Sequence, residues 1–523
     1  MTENRVEFMD CPDVTTNIRT MGSPIRISMD EVIKACTSLK NRKAPGPGNI
    51  PAELIKSGPK KLYEHLRKIF QDCINGTDVP QEWNEAYLST IYKKGDRTKC
   101  ENYRGISVTA TVSRIYGKIL RNRIENEYQE IEAEEQAGFR AGRSTVDHLF
   151  TVTQVISKKS NLNQELHLVF VDLQKAYDSV PLVRLWEAME KTNINVELIK
   201  AVKSLYKQTK TRIKVGKKLT TGFNGTKGLK QGCCISPTLF KIYLEQVLKG
   251  WKQKCRNMGV PIGDNMLYTL CFADDQVIIA QDYDDINYMT RKLIEEYQKW
   301  GLEINTNKTE YMCIGGEQQD LILEEGKKIK CCTKYKYLGM QITNDGLLDT
   351  AIKERNQLGR NAITVLNGIL WDRSINNKNK TLIYNTIIKS ITTYSCEVWP
   401  IKETTKRMLE ATEMDFWRRS AGKSRLERIT NERIREIMEV KHTIVDDIKN
   451  SQLIWYGHVQ RMAEIRIPKQ IINWKPAGRR KPGRPRRSWQ EGIDTFMEER
   501  SLGDGAWRDR QAWRDGIGRR RTF

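Results

Sequence analysis

Apolar and polar positions along this chain follow two periods, and the changes between them mark its elements. Ser28-Met-Asp-Glu opens a helix, with Ser28 as cap and Glu31 closing a capping box. Residues 60–75 and 110–130 repeat apolar positions at helical spacing and predict amphipathic helices. Between them Ala86-Tyr-Leu-Ser-Thr-Ile-Tyr reads as a strand. Leu166-His-Leu-Val-Phe-Val-Asp-Leu is an apolar, β-prone run that predicts a buried strand. The stretch from Leu267 to Ala280 sets two apolar arms about a polar Ala-Asp-Asp centre, the pattern of a hairpin. A helix is expected from about Asp284 to Trp300, and residues 350–465 read as mainly helical. Lys43-Ala-Pro-Gly-Pro-Gly is a rigid turn, and Pro51 suits the first position of a following helix.

Composition narrows the classes. At 523 residues and 39% hydrophobic content the chain is too long for one small core, so two to four domains or subdomains are expected. Lys and Arg number 88 against 65 Asp and Glu, a net charge of +23. Such a field attracts polyanions, nucleic acid before anionic membrane. No apolar run reaches the roughly 18 residues of a transmembrane helix, so no membrane partner is expected. The first residues lack a signal-peptide pattern, which predicts an intracellular protein. The 12 cysteines include no CxxC and no His partners at zinc-finger spacing, and are expected to be reduced thiols.

Three acidic residues end apolar strands: Asp172 after Val-Phe-Val, and Asp274 and Asp275 at the hairpin tip. A buried strand that ends in carboxylate must offset the desolvation of that charge, and a hard cation does so. With the two strands as neighbours, the carboxylates converge on two ions about 4 Å apart, the arrangement for in-line phosphoryl displacement. Surface turns with acidic residues are the alternative.

These residues carry a resemblance. Phe272-Ala-Asp-Asp, Asp172-Leu-Gln-Lys-Ala-Tyr-Asp-Ser-Val and Gly228-Leu-Lys-Gln-Gly-Cys-Cys-Ile-Ser-Pro resemble palm motifs of non-LTR (LINE-type) retrotransposon reverse transcriptases, in the family's order. Upstream, Lys43-Ala-Pro-Gly-Pro-Gly, Ile91-Tyr-Lys-Lys-Gly-Asp, Asn102-Tyr-Arg-Gly-Ile-Ser and Gln136-Ala-Gly-Phe-Arg-Ala-Gly-Arg-Ser-Thr are similar to its finger motifs. Downstream, Gly301-Leu-Glu-Ile-Asn-Thr-Asn-Lys-Thr and Tyr335-Lys-Tyr-Leu-Gly look like the last palm motifs. Gly48 stands where many relatives have an acidic residue.

The resemblance implies an α+β right-hand polymerase fold: fingers and palm with an antiparallel sheet, then a helical thumb and a basic C-terminal extension. The expected boundaries are an irregular segment 1–26, fingers 27–165, palm 166–345, helical thumb or extension 346–465 and a basic Trp/Arg-rich tail 466–523. The implied activity is RNA-directed DNA polymerisation from an RNA template and a DNA primer, with dNTP substrates and Mg²⁺, Mn²⁺ being an alternative ion. Asp172, Asp274 and Asp275 are the implied metal carboxylates, with the Leu173 carbonyl completing the shell. Tyr177 corresponds to an aromatic gate against a 2′-hydroxyl, which argues against an RNA-dependent RNA polymerase. Lys93 and Arg104 match positions that hold the triphosphate. Gln231 and Gly232 match the nucleotide pocket, and Lys308 a proton donor to pyrophosphate.

Arg140 and Arg143 are expected to grip template backbone. Arg479, Arg480, Lys481, Arg484, Arg486 and Arg487 form a cluster fit for phosphate and for nuclear localisation, and the interleaved tail tryptophans suit base stacking. A solubilising tail is the competing reading of that cluster. The endonuclease of full-length elements is expected to be lacking, so a separate endonuclease is an implied partner. A nucleic-acid-binding remnant without polymerase activity is the alternative function.

Overall fold

The structure, a computed structural model, describes residues 24–216, 218–225, 227–478 and 488–518. Its longer strands are β1 (Glu85–Tyr92), β2 (Tyr103–Thr109), β3 (Leu166–Val171), β4 (Lys210–Val215), β5 (Thr269–Phe272), β6 (Asp275–Ala280), β7 (Glu310–Ile314), β8 (Lys328–Cys331) and β9 (Lys334–Tyr337). The chain divides into two compact units, residues 1–131 with 181–243, and residues 132–180 with 244–523. Both units are discontinuous in sequence.

In the first unit β2, β1 and β4 form a sheet in that order. The β1–β2 pair is antiparallel and β1–β4 parallel. The helix Met29–Thr37 begins with the expected capping box of Ser28 and Glu31. Its neighbours Lys60–Ile74 and Thr111–Tyr128 match the two amphipathic stretches. Phe70, Trp83 and Tyr116 pack ring against ring at 5.4–5.8 Å, and all three are buried. Pro51 caps the short helix Ala52–Lys56 from one position outside it.

In the second unit the sheet order is β8–β7–β3–β6–β5, with Leu321–Ile322 at the β8 edge. All pairs along it are antiparallel except β7–β8. Every residue of β3 is buried, as a central strand covered on both faces requires. On one face Leu168, Phe170, Val277, Ile279, Met312 and Ile314 belong to a single apolar core with Leu149 and Phe150 of the helix Thr145–Ser160. Each such side chain contributes about 1.5–3 kcal/mol by leaving water. On the other face lies the helix Tyr283–Lys299, whose Tyr297 hydroxyl donates to Gln276 Oε1 (2.6 Å).

The C-terminal region is helical, as expected, and two of the tail's tryptophans lie in the interior. Trp489 and Trp513 are buried in the same core as β3. The Trp489 indole N–H donates to the Glu397 carbonyl (2.7 Å), and that of Trp513 to the Leu453 carbonyl (3.2 Å). These rings fill the interior and do not present a face for base stacking. The cause is the amphipathic helix Trp489–Glu499, capped by Ser488 and Glu491. The eleven cysteines among the described residues are free thiols, matching the expected reduced state. No helix among the described residues is long and apolar enough to cross a membrane.

Candidate active site

The β5–β6 hairpin closes at the Phe272–Asp275 pair, leaving Ala273 and Asp274 as the turn. Ala273 sits at φ 60°, a left-handed conformation costly for a residue with a Cβ. Neighbouring backbone holds it there. The Ala137 N–H donates to the Cys271 carbonyl (2.9 Å), and the Cys271 N–H to the Glu135 carbonyl (2.8 Å), so residues 135–137 extend the β5 edge. Gln136 Oε1 accepts from the N–H groups of Gly138 (2.9 Å) and Ala273 (3.2 Å). A Cβ on Gly138 would lie 2.0 Å from the Ala273 nitrogen, so only glycine permits this approach.

Register supplies the second carboxylate. Gln276 pairs with Val171 across β6 and β3, so Asp275 and Asp172 occupy the next position at the same sheet end. Gln276 is itself buried and fixed, its Nε2 donating to Thr269 Oγ1 (3.0 Å). The Asp172 backbone is gripped from β7's side: its N–H donates to Thr309 Oγ1 (3.2 Å), and its carbonyl accepts from the Asn305 N–H (2.8 Å). The Gln174 N–H donates to the Glu303 carbonyl (2.8 Å), which completes a bridge between Leu173 and Ile304. In such a pair Leu173 turns its own carbonyl away from Ile304, toward the side on which β6 lies.

The electrostatics suit a cation. Crowding by protein, then the charges of Asp274 and Asp172, push the Asp275 carboxyl up to about 6, although its side chain keeps an exposed edge. Tyr335 of β9, stacked on Phe170 at 4.1 Å, has its hydroxyl pushed up to about 12 by burial and by Asp275 and Asp172. Lys308 Nζ stands 3.6 Å from Asp172 Oδ2. Three mutually repelling carboxylates at one sheet end fit a hard divalent ion. Among the described residues they do not each bring an oxygen within 4.8 Å of the others.

Residues 91–342 match a family model described as reverse transcriptase (RNA-dependent DNA polymerase). Residues 91–342 are a reverse transcriptase domain. The X-element RNA-directed DNA polymerase of Drosophila melanogaster is 24% identical over 71% of this chain and 41% of its own length. The transposon BS polymerase of the same species is 23% identical over 76% and 45%. The uncharacterized 149 kDa protein of transposon TX1 from Xenopus laevis is 22% identical over 64% and 26%. The chain thus spans between a quarter and a half of these relatives' length. A solved telomerase chain from Candida tropicalis aligns over 80% of this chain and 68% of its own at 14% identity, with a TM-score of 0.40, too distant a likeness to argue from.

The other expected residues of this reverse transcriptase domain divide between the units. Tyr177, on the short helix Ala176–Ser179, packs edge-on to Phe139 (6.3 Å). Burial, then the charge of Asp274, raises its hydroxyl above the ordinary tyrosine range. Lys93, Arg104, Gln231 and Gly232 lie in the first unit. The Lys93 N–H donates to the Asn102 carbonyl (2.8 Å), and Arg104 pairs with Ile91, so both exposed cations stand near the β1–β2 hairpin end. The Ser107 N–H donates to the Gln231 carbonyl (2.6 Å), and a Cβ on Gly232 would lie 3.0 Å from the Ser107 carbonyl oxygen. The loop that carries Gln231 and Gly232 is therefore docked on β2.

Arg140 and Arg143 differ from expectation. Arg140 contacts Glu132 and Glu134 at 3.0 Å each, Arg143 contacts Glu134 at 2.7 Å, and both side chains are 13% exposed. Glu132 and Glu134 pair their charges inside the unit, so neither guanidinium stands free at the surface as a grip on template phosphate would. Arg466 joins this network through Glu134 (3.4 Å) and Asp147. Arg479, Arg480, Lys481, Arg484, Arg486 and Arg487 lie outside the described residues. Sequence reading passed over His148, buried and edge-on to Phe272 (6.2 Å). Burial holds its imidazole down to about 4, hence neutral. Sequence reading also passed over the placement of Tyr335; Gln136, Gly138 and Thr309 were visible only within motifs.

Proposed function

We propose that the chain is an RNA-directed DNA polymerase of non-LTR retrotransposon type, extending a primer on an RNA template. The observation that carries this reading is the β3–β6 register, which sets Asp172 beside Asp275 with Asp274 on the adjoining turn. Asp172, Asp274 and Asp275 would hold Mg²⁺, joined by the Leu173 carbonyl. Bound there, the ions supply charge neutralisation and activation of the attacking and leaving oxygens.

The chain's own groups do the rest. Tyr177 excludes a 2′-hydroxyl and so selects dNTPs. Lys93 and Arg104 take the triphosphate charge, and Gln231 and Gly232 line the nucleotide pocket through close backbone approach. Lys308, whose Nζ lies 3.6 Å from Asp172 Oδ2, would protonate departing pyrophosphate. The cluster from Arg479 to Arg487 contacts nucleic-acid phosphate. Synthesis coupled to integration would take place in the nucleus.

The test is primer extension on an RNA template with Mg²⁺ and dNTPs, wild type beside Asp274→Ala. Extension by the wild type and none by the variant is expected. A folded wild type that binds RNA without extending the primer would leave a binding remnant instead.

A further inference from the structure

The end of β3 opposite Asp172 holds a second cluster of metal-ligand chemistry. His167 of β3 and Cys313 of β7 are register partners, and both are buried. Glu165 precedes β3 with its side chain 52% exposed. One ligand atom from each of the three lies within 4.8 Å of the other two. His167 Nε2 faces Glu165 Oε2 at 3.3 Å, and Nδ1 faces the Tyr311 hydroxyl at 2.7 Å. Asp172 lies five residues beyond His167 along the strand, roughly 16 Å at the usual rise, so this is not part of the aspartate site.

We propose that Glu165, His167 and Cys313 form a Zn²⁺ site. The ligand set is the first argument. Thiol, imidazole and carboxylate together suit zinc, whereas Mg²⁺ takes oxygen and would stay with the aspartates. The imidazole supplies the second argument. A metal-bound Nε2 requires the proton on Nδ1, and metal-bound histidines pass that proton to an outer acceptor. The Tyr311 oxygen is in place to receive it, with the two rings stacked at 6.0 Å.

The third argument is access: Glu165, half exposed, opens the cluster to solvent, and an ion binding Cys313 must displace its thiol proton there. Gly316 leaves the room: a Cβ there would lie 2.5–2.7 Å from the Glu165 carboxyl group. Bound zinc would tie the segment before β3 to β3 and β7, with its fourth position open to solvent.

The test uses the full chain carrying Asp172→Asn and Asp274→Asn, which removes ion binding at the aspartates, stripped with chelator and titrated with Co²⁺. Expected is one equivalent bound with thiolate-to-cobalt charge-transfer absorption in the near ultraviolet, displaced by one equivalent of Zn²⁺. Adding Cys313→Ser should abolish the band. Adding Glu165→Gln should weaken Zn²⁺ binding by at least about tenfold, the loss typical of even an outer partner. No charge-transfer band at saturating Co²⁺, or a band that survives Cys313→Ser, overturns the assignment. Should Cys313→Ser fail to fold, Glu165→Gln decides, since its half-exposed side chain is dispensable to the core: unchanged affinity overturns the site.

Discussion

Gly138→Ala tests how the Ala273–Asp274 turn is held. The added Cβ would fall 2.0 Å from the Ala273 nitrogen and 2.8 Å from the Phe272 carbonyl carbon, where ordinary contact begins at 3.4 Å. The shortfall is about 1.4 Å, and both obstacles are backbone, so no rotamer change relieves it. Gly138 does not sit at positive φ, so alanine brings no conformational strain of its own and the effect is steric. Two outcomes share the cost. Overpacking of this kind destabilises by about 1–3 kcal/mol. A displacement of about 1 Å at the Asp274 turn lowers kcat by about 100-fold. The assay is steady-state primer extension beside a thermal melt. Gly368→Ala is the control: nothing lies within 4 Å of its Cβ, and in the helix Asn367–Trp371 it should stabilise by about 0.5–1 kcal/mol. A Gly138→Ala protein with wild-type melting and wild-type kcat would show that this contact does not position the turn.

Asp275 gives a pH test. Its folded-state pKa of about 6 lies above the ordinary 3.8, so the folded state binds the proton more tightly. Metal-free stability from this group is therefore present below 3.8 and lost as pH rises through about 6. Chelator-treated wild type should melt progressively lower than Asp275→Asn across that window, and Mg²⁺ should close the gap above it; parallel melting curves would contradict this. Arg466→Met should cost about 3–5 kcal/mol by leaving Asp147 without its cationic partner. It should leave the salt dependence of RNA binding unchanged, whereas Arg484→Ala with Arg486→Ala should flatten that slope by about 0.7 for each phosphate no longer neutralised. The reverse pattern would return the Arg140–Arg143 loop to the template. Tyr177→Val should relax selection between dNTP and NTP by about 5- to 150-fold, the equivalent of a clash of about 1–3 kcal/mol; unchanged selection would remove the gate.

The core of the site was legible because it rests on strand chemistry. Six consecutive buried residues in β3, and two apolar arms about Ala-Asp-Asp, admit few alternatives once the carboxylates must be accommodated. Residue pattern alone does not show which partner a charged side chain chooses. Arg140 and Arg143 read as template contacts because guanidinium groups suit phosphate equally well. Glu132 and Glu134 stood eight and nine positions upstream as available partners, and only the loop's path unites them. The tail tryptophans show the same limit: they suit base stacking by composition, yet Ser488 with Glu491 spelled a capping box that leads Trp489 into the core.

That packing bears on what the C-terminal region contributes. Trp455, Trp489 and Trp513 share one core with Leu168, Phe170 and Val277 of the strands that carry the aspartates. Phe150, from the helix that follows the Gln136–Gly138 loop, meets Trp489 at 4.8 Å and Trp455 at 5.7 Å. Lys158 of that helix donates to the Ile471 and Trp474 carbonyls at 2.7 and 2.6 Å. The family match ends at residue 342, but the interior that fixes β3 does not. Cutting the chain at that boundary would expose Phe150 and strip β3's face of aromatic cover, each such ring carrying several kcal/mol of burial. The C-terminal helices are therefore part of what holds Asp172 and Asp275 in register, and a truncated domain lacking them should lose polymerase activity through unfolding rather than through weaker RNA binding.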